Sequence, residues 1–196
     1  MKYTIFKPRK DVKGGAVSVK LVDGREGEPI IFLEFLKQTG WDSQNSRGIF
    51  AIKDNPDAKA VFAMNPTEAG EVLATFQNNI PFNTFHKSNS GSSSFSATCW
   101  NKTRKIKGRN GEEEFKVPSY GLSLFKNETN FQVPIEAGEA QVIARILNEY
   151  IIRAALHTHD VEQAKFGQGN SGNSGNQGRP SQDSGSNNDD DGEIPF

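Results

Sequence analysis

Residues with ring faces and residues with fixed positive charge recur together along this chain. Trp100, Lys102 and Arg104 are spaced by two, so on a strand all three project from one face. Phe6-Lys7-Pro8-Arg9 places an aromatic beside two bases, and Lys20 with Phe32, Phe35 with Lys37, and Phe50 with Lys53 repeat the combination. Lys13, Trp41 and Tyr120 are further candidates, and Lys105, Lys107 and Arg109 crowd one turn-like stretch. A ring can stack on a base of any identity, for about 1–3 kcal/mol per base, while a cation meets a phosphate. The chemistry on offer is therefore binding of an unpaired nucleic-acid strand. Alternation leaves Phe32, Phe35, Phe50 and Phe95 open between core and contact. Lys105, Lys107 and Arg109 are open between phosphate contact and keeping a turn soluble.

A second kind of chemistry stands at residues 189–196: Asp189, Asp190, Asp191, Gly192, Glu193, Ile194, Pro195 and Phe196. Ile-Pro-Phe is apolar where a solubilising tail would be polar. Phe196 carries the α-carboxylate, so ring and charge can be captured together by a pocket lined with a base. Pro195 stiffens the peptide, and the acids speed encounter with a basic partner. This is the pattern of a docking peptide.

Enzymatic motifs are missing. No G-x-x-x-x-G-K-[ST], H-E-x-x-H or G-x-S-x-G occurs. His157-x-His159 lacks partners at metal spacing and reads as a frayed helix end, and Glu112-Glu113-Glu114 reads as a solvated run. No catalytic site, metal or cofactor is expected. A single cysteine, Cys99, excludes an internal disulfide and points to a reducing compartment, with its thiol in the core. No run of about 18 apolar residues predicts a membrane span, and the first residues resemble neither a signal nor a transit peptide. A soluble, cytoplasmic protein is expected. From Phe166 onward there is one base and five acids, a net of -4, which leaves 22 bases against 19 acids, a net of +3, on residues 1–165. A mildly basic body with an acidic tail suits a polyanion binder.

The elements that must position these groups follow from periodicity. Strands are predicted over 2–9, 16–22, 29–38, 48–53 and 58–64, with a polar loop carrying Trp41 over 40–46. The strand over 29–38 is apolar on both faces, so it is either covered twice or presents aromatics to a ligand or subunit. A helix follows: Asn65 caps, Pro66 opens it, Glu68 completes a capping box, and Ala69, Val72, Leu73 and Phe76 form one stripe. Strands resume over 82–87, 95–104, 115–126 and 130–135, separated by a Ser/Gly loop over 88–94 and a turn at Asn110-Gly111. A long helix closes the body over about 137–157. Ala140, Ile143, Leu147, Tyr150, Ile151 and Ala154 form its stripe, and Val142, Ile146, Ile152 and Leu156 widen it beyond the needs of one sheet, which points to a second subunit. From Phe166 to Asn188 the composition falls to Gly, Asn, Ser and Gln, a disordered tether reaching roughly 25–30 Å.

The body so read resembles the Whirly family of single-stranded DNA-binding proteins. Tyr3-Thr4-Ile5-Phe6-Lys7 and Lys13-Gly14-Gly15-Ala16-Val17-Ser18-Val19 are similar to the family's opening tyrosine strand and its Lys-Gly-Lys-Ala-Ala-Leu motif. Here residues 8–12 separate the two, and Gly15 stands at the motif's second lysine. Val61-Phe62-Ala63-Met64 with Thr67-Glu68-Ala69-Gly70 resembles the next strand and helix start. Phe85-His86-Lys87, Gly121-Leu122-Ser123-Leu124 and Val133-Pro134-Ile135 follow in family order. The resemblance, over about residues 2–157, implies two antiparallel sheets set perpendicular like propeller blades and tetramers assembled through the helices. It also implies single-stranded DNA running along the sheets and between neighbouring blades. Residues 189–196 resemble the acidic tip of bacterial and phage single-stranded DNA-binding proteins, through which replication and repair enzymes are recruited.

The expectation is an α+β, Whirly-like protein built from a duplicated sheet-then-helix unit. Residues 1–160 form the binding body, 161–188 a linker and 189–196 the docking tip. Its expected partners are single-stranded DNA, replication, recombination and repair proteins, and itself as a dimer or tetramer; no membrane is involved. An OB-fold carrying the same tip, or a DNA-binding regulator or scaffold without general coating, are the alternatives.

Overall fold

Alternating apolar residues define the strands, and the same pattern decides which of their faces lie inward. The computed structural model describes residues 1–50, 56–88, 91–108 and 111–168. Strands β1 (Lys2–Lys7), β2 (Gly15–Asp23) and β3 (Pro29–Lys37) are joined by β6 (Lys59–Met64) in an antiparallel sheet of order β1-β2-β3-β6. A small hairpin, β4 (Gly40–Asp42) with β5 (Arg47–Ile49), interrupts it. Helix α1 (Pro66–Asn78) closes this first unit. The second repeats the plan: β7 (Phe82–Ser88), β8 (Gly91–Gly108), β9 (Gly111–Lys126) and β10 (Thr129–Glu136) form an antiparallel sheet of order β10-β9-β8-β7, and α2 (Ala137–Gln168) follows. This is α+β with a duplicated sheet-then-helix unit, and not the single barrel of an OB-fold.

Register sorts the side chains. In the first sheet Ile5, Val17, Phe35 and Ala60 share one inward cross-strand row, and the next row, Thr4, Ser18, Glu34 and Val61, points out. The two-faced strand β3 resolves accordingly: Ile31, Leu33 and Phe35 are fully buried, while Ile30, Phe32 and Leu36 lie half-buried on the outer face. Phe62 stacks on Phe95 at 5.0 Å between ring centroids, and Phe35 packs at 6.5 Å from both Phe95 and Phe131. These rings join the inner faces of the two sheets into one core.

Helix α1 begins where its capping box requires. Asn65 Oδ1 accepts from the Glu68 N–H at 2.9 Å, and Glu68 Oε2 accepts from the Asn65 N–H at 3.0 Å. The left-handed Asn79 ends it. Two buried tyrosines tie the units together: the Tyr120 hydroxyl donates to the Phe76 carbonyl at 2.8 Å, and the Tyr150 hydroxyl to the Met64 carbonyl at 2.9 Å.

The closing helix runs to Gln168, beyond both the predicted end at 157 and the start of the expected linker at 161. The added turns contain Glu162, Gln163, Ala164 and Lys165, all strong helix formers, and no proline. Ile146 is buried, whereas Val142, Ile152 and Leu156 face solvent on the single chain. Cys99 packs against the core, with its thiol 3.0 Å from the Asn79 carbonyl. Among the described residues no helix is long and apolar enough to cross a membrane.

Candidate nucleic-acid interface

Where the end of the first sheet meets the outer face of the second, a cleft of ≈ 780 Å³ opens. The first sheet supplies Phe6, Lys7, Arg9, Lys13 and Lys37, and the second supplies Trp100, Asn130 and Gln132. The close approach depends on Gly15: a Cβ there would fall 2.8 Å from the Gln132 carbonyl oxygen. A lysine, which the resembled motif has at this position, would not fit without displacing β10. Trp100 lies across Gly121, where a Cβ would come within 3.0 Å of the indole. The ring is thereby laid along the sheet, with 45% of the residue exposed. Phe6, on the opposite wall, is 54% exposed and packs edge-on against Phe50 at 5.3 Å.

The loop between β1 and β2 carries Arg9 and Lys13, and Gln38 holds it. Gln38 Oε1 accepts from the Arg9 N–H at 2.8 Å, and Nε2 donates to the carbonyls of Arg9 at 2.9 Å and Gly40 at 2.7 Å. One buried amide thus fixes both the cationic loop and the small hairpin. The only sequence signal for this role is a polar residue closing an apolar strand. Val12, which also lines the cleft, has φ of 59°, a strained conformation for a β-branched residue.

Several cations in and beside the cleft have acidic neighbours. Lys7 Nζ is 2.7 Å from Glu139, Arg9 forks onto Asp11 at 2.8 and 3.0 Å, and Lys102 Nζ is 3.0 Å from Glu136, with Arg104 at 3.8 Å. The hydrogen bond from Lys102 leads in holding the Glu136 carboxyl below the usual carboxylate range; partial burial opposes it, and the charges of Lys102, Lys7 and Arg104 add to it. Lys37 sits 5.4 Å over the Phe131 ring.

The structure therefore brings Phe6, Lys7, Arg9, Lys13, Lys37 and Trp100 together, with Phe50 behind Phe6 and Lys102 and Arg104 continuing along β8. Phe32 and Lys20 share an outer row of the first sheet, where Lys20 and Lys59 both pair with Glu34. Trp41 is half-buried in the small hairpin. Two expectations are corrected. Phe35 is fully buried beneath the first sheet, and Tyr120 is buried with its hydroxyl bonded to the Phe76 carbonyl, so neither has a face for a base. Lys105 and Lys107 lie not in a turn but on a two-stranded arm that outruns β7 and β10. There Lys105 pairs with Glu114 at 3.1 Å, and Lys107 stands opposite Glu112 in register. Lys53, Arg109 and residues 189–196 lie outside the described residues.

The outer face of the second sheet holds rings that periodicity assigned to no site. Phe85, Ser94, Phe125 and Asn130 form one row, with Phe85 63% and Phe125 51% exposed. The next row is Asn83, Ser96, Ser123 and Gln132. Small serines between the phenylalanines leave their ring faces open. The local signal was a phenylalanine two residues from a serine on the same face, as at Ser123 and Phe125.

The chain superposes on the crystal structure of WHY1 from Arabidopsis thaliana with a TM-score of 0.52 at 13% identity, covering 90% of this chain and 97% of that one. The body has a Whirly-like fold. The structure of the plant transcriptional regulator PBF-2 is similar at a TM-score of 0.49 and 16% identity, over 83% of this chain and 94% of that chain. The crystal structure of WHY3 from Arabidopsis thaliana is similar at 0.48 and 15%, over 85% and 96%. No protein-family model matches the chain, and no curated protein matches it in sequence. At this distance the likeness is one of architecture: in the Whirly-like body, two sheet-then-helix units meet, and the cleft lies at their junction.

Proposed function

We propose that this Whirly-like protein binds single-stranded DNA without regard to sequence, coats and protects it, and recruits partner proteins through its acidic tip. The observation that carries this reading is the cleft in which the exposed rings of Phe6 and Trp100 converge with Lys7, Arg9, Lys13 and Lys37. Rings stack on any base, and only an unpaired strand offers base faces along its length, so the site favours single strands over duplex. Replication, recombination and repair are the processes in which such strands arise, and residues 189–196 have the chemistry of a docking peptide for enzymes acting there. The solvent-facing Val142, Ile152 and Leu156 of α2 support self-association through the helices.

Fluorescence titration with dT oligonucleotides and with duplex of equal length tests the reading. Preferential binding of the single strand is expected, with affinity falling with salt at a slope of about -0.7 per phosphate neutralised. Equal affinity for the two forms would refute it. Removing residues 189–196 should spare DNA binding and abolish capture of partner proteins; loss of both together would contradict the division of labour.

A further inference from the structure

Glu136 occupies a distinctive place beside the cleft, in the row of its Trp100 wall. It ends β10, and in register it shares a cross-strand row with Ser119 and Trp100. Its carboxylate holds Lys102 at 3.0 Å and Arg104 at 3.8 Å, the two cations that continue the Trp100 face of β8. Between Glu136 and Trp100, the Ser119 side chain is buried, and its hydroxyl has no hydrogen-bond partner among the described residues. Buried hydroxyls are nearly always partnered, by protein or by water, and this one lies beside a ring and a cation-bound carboxylate. Carboxylate and phosphate oxygens accept from the same lysine and arginine donors.

We propose that Glu136 is an internal stand-in for a backbone phosphate: it occupies Lys102 and Arg104 in the free protein and is displaced when a nucleic-acid strand enters. The phosphate then takes over both cations. This rests on the single-strand reading above and adds to it a built-in competitor. Glu136 is ionised at neutral pH, its carboxyl being held low, so the competition operates under ordinary conditions. Its consequence is selectivity. A strand that also stacks on Trp100 can displace the carboxylate, whereas an isolated anion gains little by exchanging one ion pair for another.

The test compares the full-length protein with its Glu136→Gln variant, titrated with a dT oligonucleotide and with inorganic polyphosphate over a range of salt. The variant should bind both polyanions about two- to five-fold more tightly, the strength of an exposed ion pair. Its salt slope on dT should steepen by about 0.7 for each further phosphate neutralised. Lys102→Ala should cost more affinity in the Glu136→Gln background than alone. Unchanged or weaker binding of both polyanions by a variant with an unaltered thermal melt overturns the proposal. Should the variant melt early, the unaltered protein decides: the Glu136 side-chain carboxyl resonance should move toward that of a free carboxylate as dT is added, and a resonance that stays in place overturns the idea. If the unaltered protein binds polyphosphate as tightly as dT, the single-strand reading fails instead. The variant-to-parent ratio on polyphosphate still judges Glu136.

Discussion

The two sheets share a plan, four antiparallel strands followed by a helix, yet their outer faces differ in chemistry. The first carries Lys20 and Lys59 around Glu34, with Phe32 in the same row as Lys20. The second carries Phe85, Phe125 and Trp100, separated by serines and amides. One face is centred on an ion-pair cluster, with Phe6 exposed on its edge strand. The other presents ring faces, with Lys102 and Arg104 continuing the Trp100 face. The cleft arises where the two units meet, so that Phe6 with Lys7, Arg9, Lys13 and Lys37 of the first faces Trp100 of the second.

Five substitutions sharpen or break this contrast. Phe35→Ala, at an inward ring of the first sheet, should lower stability by about 3–5 kcal/mol, read by urea unfolding, because it leaves a cavity against Phe95 and Phe131. Trp100→Ala, at an outward ring of the second, should leave the melt nearly unchanged and weaken dT binding by about 1–3 kcal/mol. The parallel change Phe32→Ala on the first sheet should weaken binding less. A loss equal to that of Trp100→Ala would erase the distinction between the faces.

The fourth concerns the link between the units. Glu68 Oε1 accepts from Thr84 at 2.8 Å and lies 2.6 Å from His86 Nε2, joining α1 to β7. Burial raises its pKa, but the Asn65 N–H, His86 and Thr84 together bring it below its ordinary value of 4.5. A depressed carboxyl stabilises the fold above the unfolded-state pKa and loses that contribution as pH falls through the folded value. Stability should therefore decline below about pH 4.5 in the parent, and less steeply in Glu68→Gln, which at neutral pH should cost about 1–3 kcal/mol. Equal acid sensitivity in both would remove Glu68 as the link. The smallest effect is expected at Val12→Gly. Relief of the left-handed strain, partly offset by the entropy glycine adds to the unfolded chain, should raise stability by up to about 1 kcal/mol. A drop in stability would show that the valine side chain is itself needed in the cleft wall.

Much of this was determined by the sequence alone. Strand alternation, the Asn65–Glu68 capping box and the apolar stripes of both helices prescribe the duplicated sheet-then-helix order, because each depends only on residues a few positions apart. Pairing aromatics with cations also put Phe6, Lys7, Arg9 and Trp100 among the candidates. What local pattern could not decide is which face of a strand receives a second layer. Phe35 and Phe125 both lie on alternating strands, yet one is sealed between sheets and the other is open to solvent. Tyr120 looked like a contact until Phe76 was brought over it. Nor could spacing foretell that Lys7 would meet Glu139, 132 residues away, or that Lys102 would meet Glu136. The first pair is set by how the closing helix docks against the first sheet and the second by strand register across β9, while the docking of the two sheets rests on tertiary contacts such as the one only Gly15 permits.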